Sequence, residues 1–176
     1  MTGRLLAAAL LSAALIAPPA LTPALAAPDS SPSPPPSSDG NSSGSKKKDK
    51  RSEQRFQDGY RAAYATIYDR ADYAAAIDQL KALGHDDNAS VATLIGYSYR
   101  KLGDTKLAQA WYERALKTDP NHTKTWQYYG LWQVEQGNRE RAQVHLSRIA
   151  QLCGNTSCEE YTSLAAAIAA GTGSSY

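Results

Sequence analysis

The sequence predicts an all-α protein in which three helix pairs are stacked and a seventh helix covers the end of the stack. Two observations support this prediction. Positions after Ser52 recur with a period of 34 residues, and the apolar residues of each period fall at helical spacing. A helix pair of this kind cannot bury its own apolar face, so neighbouring pairs must stack and a terminal helix must cover the last one. We therefore expect only helices and no sheet.

The first segment, residues 1–26, has the order of a secretory signal peptide. Arg4 gives a short basic start, an apolar run follows from Leu5 to Ala17, and small residues end the segment at Ala26. The apolar run is shorter than the about 20 residues that a membrane-spanning helix needs. The order predicts export with cleavage after Ala26 or Ala27, and hence a periplasmic or secreted protein.

The composition of residues 27–51 is typical of a disordered linker. From Pro28 onward the segment is rich in Pro, Ser, Gly and Lys and has no aromatic or branched apolar residue, so it can bury little surface. Its end, Lys46–Arg51, is a basic cluster for which two interpretations stay open. It is either a solvated tether or a place of weak contact with an anionic surface of the envelope.

The charge of the region after Ser52 argues against one class of partner. Acidic and basic residues are nearly balanced there, because a large share of the excess basic charge lies in the linker. Nucleic-acid binding depends on clustered Lys and Arg that neutralise phosphates. We therefore expect no nucleic-acid partner.

The middle period, residues 89–122, shows the repeating unit most clearly. Asn88 is the predicted cap of a first helix over Ala89–Lys101, and a second helix is predicted over Thr105–Thr118. Pro120 then ends the pair. In each unit a Gly or Ala closes the first helix and an Asp or Asn caps the second. The predicted caps of the second helices are Asp72, Asp104 and Asn138.

Small residues mark the place where the two helices of the middle unit approach each other. Gly96 and Ala108 have little or no side chain, so the helix axes can come close. Tyr99 and Tyr112 lie one helical turn further on and are expected to fill the space beside the crossing.

Ten positions define the pattern of the second and third units: Ile95, Gly96, Tyr99, Ala108, Tyr112, Ala115, Pro120, Trp126, Gly130 and Ala142. At these positions the sequence resembles the tetratricopeptide repeat. The resemblance implies a right-handed α-solenoid over residues 52–170, in which a tail, 171–176, follows the last helix. The implied parts are repeats at about 57–88, 89–122 and 123–156 and a capping helix at about 159–169.

Tyr60, Tyr64 and Tyr68 lie four residues apart in the first repeat. A stripe with this spacing is typical of the buried face of a helix. The repeat pattern also puts the bulky Tyr64 at the small-residue position of the helix crossing. We expect most of these rings in the core, although the resemblance places Tyr68 on the groove as well.

The resemblance also implies a function without catalysis. In tetratricopeptide proteins the first helix of each pair lines a concave groove that holds a protein or peptide. An extended peptide with apolar side chains and some negative charge would suit the groove, with Tyr97, Arg100 and Lys124 as the preferred contacts. The alternative is a structural accessory of the envelope that uses the basic linker and self-association. The implied groove residues are Arg61, Tyr68, Thr93, Tyr97, Arg100, Lys101, Lys124, Gln127 and Leu131.

Cys153 and Cys158 are the only cysteines of the chain. An even count in an exported protein favours a disulfide, which would join the last repeat to the capping helix. The histidines, His85, His122 and His145, do not stand at metal-ligand spacing, so no metal site is expected. No nucleophile or phosphate-binding motif occurs, and we expect neither an enzyme nor a cofactor.

Overall fold

Helices account for most of the protein that the structure, a computed structural model, describes: residues 42–171, with side chains from Lys48 onward. No strand occurs in this range, which confirms the all-α helical-repeat prediction. The predicted signal peptide, most of the linker and residues 172–176 of the predicted tail lie outside the described residues. The helices are α1 (Ser42–Tyr68), α2 (Tyr73–Ala82), α3 (Ala89–Lys101), α4 (Thr105–Thr118), α5 (Thr123–Glu135), α6 (Arg139–Cys153) and α7 (Glu159–Ala170).

Helix α1 begins inside the segment that we predicted to be disordered. It starts at Ser42, and its side chains are exposed from Lys48 to Arg55. Lys and Arg are good helix formers, and adding residues to an existing helix end costs far less entropy than starting one. The composition therefore indicates correctly that the segment buries little surface, but the prediction of disorder is wrong for residues 42–51.

The helices form two layers. Each helix packs against the next one in sequence, and α1, α3, α5 and α7 also contact one another in that order. The first helices of consecutive pairs therefore lie side by side and form a continuous wall. None of the described helices is long and apolar enough to cross a membrane.

Capping side chains define most of the helix starts. Asn88 Oδ1 accepts from the backbone N–H groups of Ser90 and Val91 at 2.9 and 3.2 Å, and α3 begins where predicted. The predicted cap Asn138 makes no such bond, and its Nδ2 donates to Gln133 Oε1 at 2.9 Å. Asp72 and Asp104 accept from backbone N–H groups as predicted.

The turn between α1 and α2 contains the only described non-glycine residue with positive φ. Ala71 has a φ of 53°, whereas the equivalent turns after α3 and α5 use Gly103 and Gly137. Alanine in the left-handed region costs about 1–2 kcal/mol, and glycine avoids this strain. We expect Ala71→Gly to raise the free energy of unfolding by about 0.5–1 kcal/mol in urea denaturation. Ala62→Gly on the exposed face of α1 is the control and should lower the same quantity by about 1 kcal/mol.

The crossing of α3 and α4 confirms the predicted close approach. A Cβ atom built on Gly96 would lie 3.0 Å from two ring carbons of Tyr112. Tyr112 is fully buried and its ring stacks on Tyr129 at a centroid distance of 5.3 Å. Ala108 is fully buried as well. The absence of a side chain at Gly96 therefore lets the ring of Tyr112 fill the crossing.

The first repeat differs from the prediction in register. Tyr64 is not at the helix crossing, because 47% of its surface is exposed. The preceding residue, Ala63, is fully buried and packs in the core between α1 and α3. A shift of one residue in α1 thus puts a small side chain where the repeat needs one, and the prediction for Tyr64 is wrong.

Helix α7 covers the end of the stack, as predicted. Leu164 and Ile168 are buried and pack with residues of α5 and α6. A disulfide joins Cys153 at the end of α6 to Cys158, whose Cα lies 6.4 Å away. The predicted disulfide is therefore present, and it covalently links the last repeat to its capping helix.

Candidate functional site

A cavity of about 430 Å³ opens on the wall formed by α1, α3 and α5. These are the first helices of the three pairs, so the cavity lies where the resemblance to the tetratricopeptide repeat implies a groove. We call it the groove. Its lining is Tyr60, Tyr64, Tyr68, Ser90, Thr93, Leu94, Tyr97, Arg100, His122, Lys124, Gln127, Tyr128, Leu131 and Glu159.

Two of the predicted groove residues lie outside this lining. Arg61 has an exposed side chain that forms an ion pair with Asp58 at 3.6 Å. Lys101 lies beside the groove, where its Nζ is 6.0 Å from the centroid of the Tyr97 ring. A role of the lining residues in partner binding stays a prediction. The predicted residues that line the groove are Tyr68, Thr93, Tyr97, Arg100, Lys124, Gln127 and Leu131.

One side of the groove is aromatic. The ring of Tyr68 lies 4.3 Å from that of Tyr64 and 5.6 Å from that of Tyr97, measured between centroids. The Tyr97 ring meets Tyr128 edge-on at 5.3 Å. The hydroxyl groups of Tyr68 and Tyr128 hydrogen bond to each other, which connects α1 to α5 across α3. We call these four residues the tyrosine wall.

The tyrosine wall combines exposed ring surface with protonated hydroxyl groups. Tyr64 and Tyr68 are 47% and 39% exposed, so the expectation that most of this stripe lies in the core is wrong, whereas Tyr68 lines the groove as the resemblance implies. Burial raises the pKa of Tyr68, and its hydrogen bond to Tyr128 raises it further. Burial also raises the pKa of Tyr97. These phenols therefore keep their protons at neutral pH and can donate hydrogen bonds.

A chain of hydrogen bonds connects α3 to α5 at the groove. The Thr93 hydroxyl donates to the carbonyl of Ala89 at 2.7 Å and lies 2.6 Å from the Thr125 hydroxyl. His122 Nδ1 lies 2.6 Å from the Thr125 hydroxyl and 3.3 Å from the Thr125 N–H. His122 Nε2 lies 3.0 Å from the Ser90 hydroxyl. The tautomer of the His122 ring sets which atom donates in these contacts.

The half-buried His122 and the buried His145 make stability depend on pH. Burial lowers the pKa of His122 and of His145, so the unfolded chain takes up protons first as the pH falls. The stabilisation that the neutral histidines give the folded state is complete above about pH 6.5, the ordinary pKa of histidine. It is lost as the pH falls below this value. We expect a lower free energy of unfolding at about pH 5.5 than at about pH 7.5, measured in urea. The double variant His122→Asn/His145→Gln should flatten this slope, and an unchanged slope would contradict the assignment.

Arg100 donates its hydrogen bonds to other groups of the same protein. Its Nε and Nη2 donate to the two carboxylate oxygens of Glu135 at 2.7 and 2.6 Å, and Nη1 donates to the carbonyl of Tyr128 at 3.3 Å. Burial acts to lower the pKa of Arg100, but the hydrogen bonds with Glu135 outweigh it and the pKa is raised. The side chain is only 3% exposed. Arg100 therefore joins α3 to α5 and has few donors left for a partner.

The other cation of the groove is also neutralised. Lys124 Nζ lies 3.2 Å from a carboxylate oxygen of Glu160 and 3.7 Å from one of Glu159. Burial acts to lower the pKa of Lys124, while the bond to Glu160 raises it, with a net rise. The charges of the groove are thus paired within the described residues, which favours a ligand with little charge of its own.

Gln127 offers the groove an unused acceptor. It is 5% exposed and lines the cavity, and its Oε1 has no hydrogen-bond partner among the described residues. A buried acceptor without a donor costs about 1–3 kcal/mol. A ligand that brings an N–H or O–H group to this atom would recover part of that cost.

One further cluster brings side chains of metal-ligand type close together. Ligand atoms of Cys153, Cys158 and Glu160 lie within 4.8 Å of one another. Metal ions bind thiolates, and the two sulfur atoms are bonded to each other in the disulfide. While this bond is intact, the cluster does not provide a metal site.

Half of the groove lining was not predicted from the sequence. The resemblance places the groove residues on one face of a regular repeat. The register shift in α1 brings Tyr64 onto this face as well. Tyr128 could have been found, because it lies four residues after Lys124 and three before Leu131 on α5. The lining residues that were missed are Tyr60, Tyr64, Ser90, Leu94, His122, Tyr128 and Glu159.

The comparison with known families agrees with this architecture. The tetratricopeptide repeat model matches residues 89–122, which contain α3 and α4. No curated protein matches the chain closely enough to count as a relative. Tetratricopeptide proteins are typically scaffolds for protein–protein interaction, and the helix pairs on either side of α3 and α4 extend the same stack. The chain therefore contains a tetratricopeptide repeat at residues 89–122, within a stack of helix pairs.

Proposed function

We propose that this protein is an exported scaffold or adaptor that holds an extended segment of a partner protein in the groove. The observation that carries the proposal is the combination of the exposed tyrosine wall with the unpaired Gln127 Oε1 in one cavity. Aromatic residues are enriched among the side chains that dominate protein interfaces. A wall that served packing alone would bury these rings and pair this oxygen.

The surroundings of Ser90 favour binding over catalysis. Its hydroxyl forms a hydrogen bond with His122 Nε2 at 3.0 Å, and contacts between a serine and a histidine can activate a serine nucleophile. Acyl transfer also requires N–H donors that stabilise an oxyanion. The N–H groups of Ser90 and Val91 at the start of α3 already donate to Asn88. The hydrogen-bond chain is therefore better explained as the structural connection of α3 to α5.

Affinity capture from an envelope fraction tests the proposal. The groove variant is Tyr64→Ala/Tyr68→Ala, which removes two exposed rings at small cost to folding. Arg61→Ala is the matched control, because Arg61 lies on the same helix, is exposed and does not line the groove. We expect a protein captured by the wild type and by the control but lost with the groove variant.

Circular dichroism and thermal unfolding check that the groove variant keeps its fold. Identical captures with the wild type, the control and a folded groove variant would show that the groove does not hold the partner. Arg100 is left unchanged in this design, since removing it would break its internal bonds to Glu135 and confuse a binding defect with a folding defect.

A further inference from the structure

The chemistry of the groove limits its ligand to a narrow class. Proline-rich segments adopt the polyproline II helix, whose carbonyl groups are free to accept hydrogen bonds and whose stiffness reduces the entropy lost on binding. Such segments dock in grooves lined by aromatic residues. The tyrosine wall supplies an aromatic surface at Tyr64 and Tyr68, and the hydrogen bond between the Tyr68 and Tyr128 hydroxyls uses only one of their two hydrogens, which leaves the other to donate. A proline-rich peptide therefore fits this surface.

The chain itself contains a segment of this class outside the described residues. Residues 28–36 contain the prolines Pro28, Pro32, Pro34, Pro35 and Pro36, separated mainly by serine. From residue 30 to residue 36 the segment carries no charge, which suits a groove whose own cations are already paired.

The length of the chain decides whether this segment can bind in its own groove. Helix α1 rises about 33 Å from Ser42 to Tyr64 at 1.5 Å per residue. The eight residue steps from Pro34 to Ser42 span at most about 28 Å when fully extended. The run Pro34–Pro36 is therefore too near α1 in sequence to reach Tyr64 and Tyr68 of the same molecule, whereas Pro28, which lies further from Ser42, can span about 49 Å. The full segment, with all its prolines, can occupy the groove only when it belongs to a second molecule.

We propose that the groove binds the proline-rich segment, residues 28–36, of a second copy of this chain, so that the protein self-associates through segment and groove. The inference rests on the proposed function of the groove and names its ligand. Ser33 lies between two prolines and offers a hydroxyl and an N–H group, either of which can donate a hydrogen bond to the unpaired Gln127 Oε1. The proline rings pack on the tyrosine wall, and the hydroxyl hydrogen that the Tyr68–Tyr128 bond does not use donates to a carbonyl group of the segment.

Analytical ultracentrifugation of the purified exported chain tests the proposal by complementation. The segment variant, Pro32→Ala/Pro34→Ala/Pro35→Ala/Pro36→Ala, keeps an intact groove. The groove variant, Tyr64→Ala/Tyr68→Ala, keeps an intact segment. We expect the average mass of the wild type to rise with concentration above that of one chain and each variant alone to stay at one chain. An equimolar mixture of the two variants should form pairs, because each supplies what the other lacks.

An excess of the free peptide of residues 28–36 should dissociate the wild-type assembly, and the same peptide with alanine at every proline should not. A wild type that stays at one chain at every concentration overturns the proposal. Association that the segment variant retains overturns it too, since another surface would then be responsible. If the wild type stays at one chain while the groove variant still loses the captured envelope protein, the groove function stands and self-recognition is wrong.

Discussion

Replacing Glu135 by leucine should lower the free energy of unfolding by about 3–5 kcal/mol, the largest effect that we expect of any single side chain outside the apolar core. Glu135 supplies both carboxylate oxygens to Arg100, whose side chain is 3% exposed. Without it, the guanidinium is left charged and buried, and the protein interior cannot compensate for the lost hydration. Urea denaturation of the wild type and the variant measures the difference.

The reverse substitution is the control. Arg100→Met leaves Glu135 behind, but this carboxylate is a third exposed and can be hydrated, so we expect a loss of only about 1–2 kcal/mol. The double variant Arg100→Met/Glu135→Leu removes both charges and should recover most of the loss caused by Glu135→Leu. Equal losses for the two single variants would show that the burial of Arg100 is not the cause.

Leu164→Ala should cost about 3 kcal/mol, because the side chain is fully buried where α7 meets α5. The cavity left at this place would loosen the cap that covers the last repeat. Urea denaturation measures the loss. Ala166→Gly on the exposed face of α7 is the comparison, with an expected loss of about 1 kcal/mol from helix propensity alone.

A second substitution, at Gly130, shows whether the stability lost in Leu164→Ala arises from packing of Leu164 against α5. A Cβ atom built on Gly130 would lie 2.5 Å from Leu164 Cδ2, so Gly130→Ala should cost about 1–3 kcal/mol in the wild type. In the Leu164→Ala background this clash is gone, and the same substitution should cost clearly less. Losses that simply add would contradict a direct contact between the two positions.

Much of the fold could be predicted because the decisive signals are local. The bounds of α3 and α4 follow from Asn88, Asp104 and the residues between them, where caps, apolar spacing and breakers all agree. The start of α1 could not be predicted in this way. Lys and Arg satisfy helical geometry without burying surface, so their composition alone does not distinguish an exposed helix from a disordered segment.

The candidate site was less predictable because its chemistry depends on contacts between repeats. The position of Tyr97 on the groove is what the resemblance to the tetratricopeptide repeat implies. The ion pair of Arg100 could not be predicted, because its partner Glu135 lies in the next repeat. Sequence spacing does not show which acceptor the guanidinium bonds to. The same holds for the hydrogen bond that joins Ser90 to His122.

The hydrogen bond between Tyr68 and Tyr128 has a consequence for the speed of binding. It joins the first and third repeats across the second, so the curvature of the stack is held by side chains as well as by helix packing. A surface whose shape is set in advance needs no rearrangement when a ligand arrives, and association then depends mainly on encounter and orientation. Ligands that differ in affinity for this groove will therefore differ mainly in how long they stay.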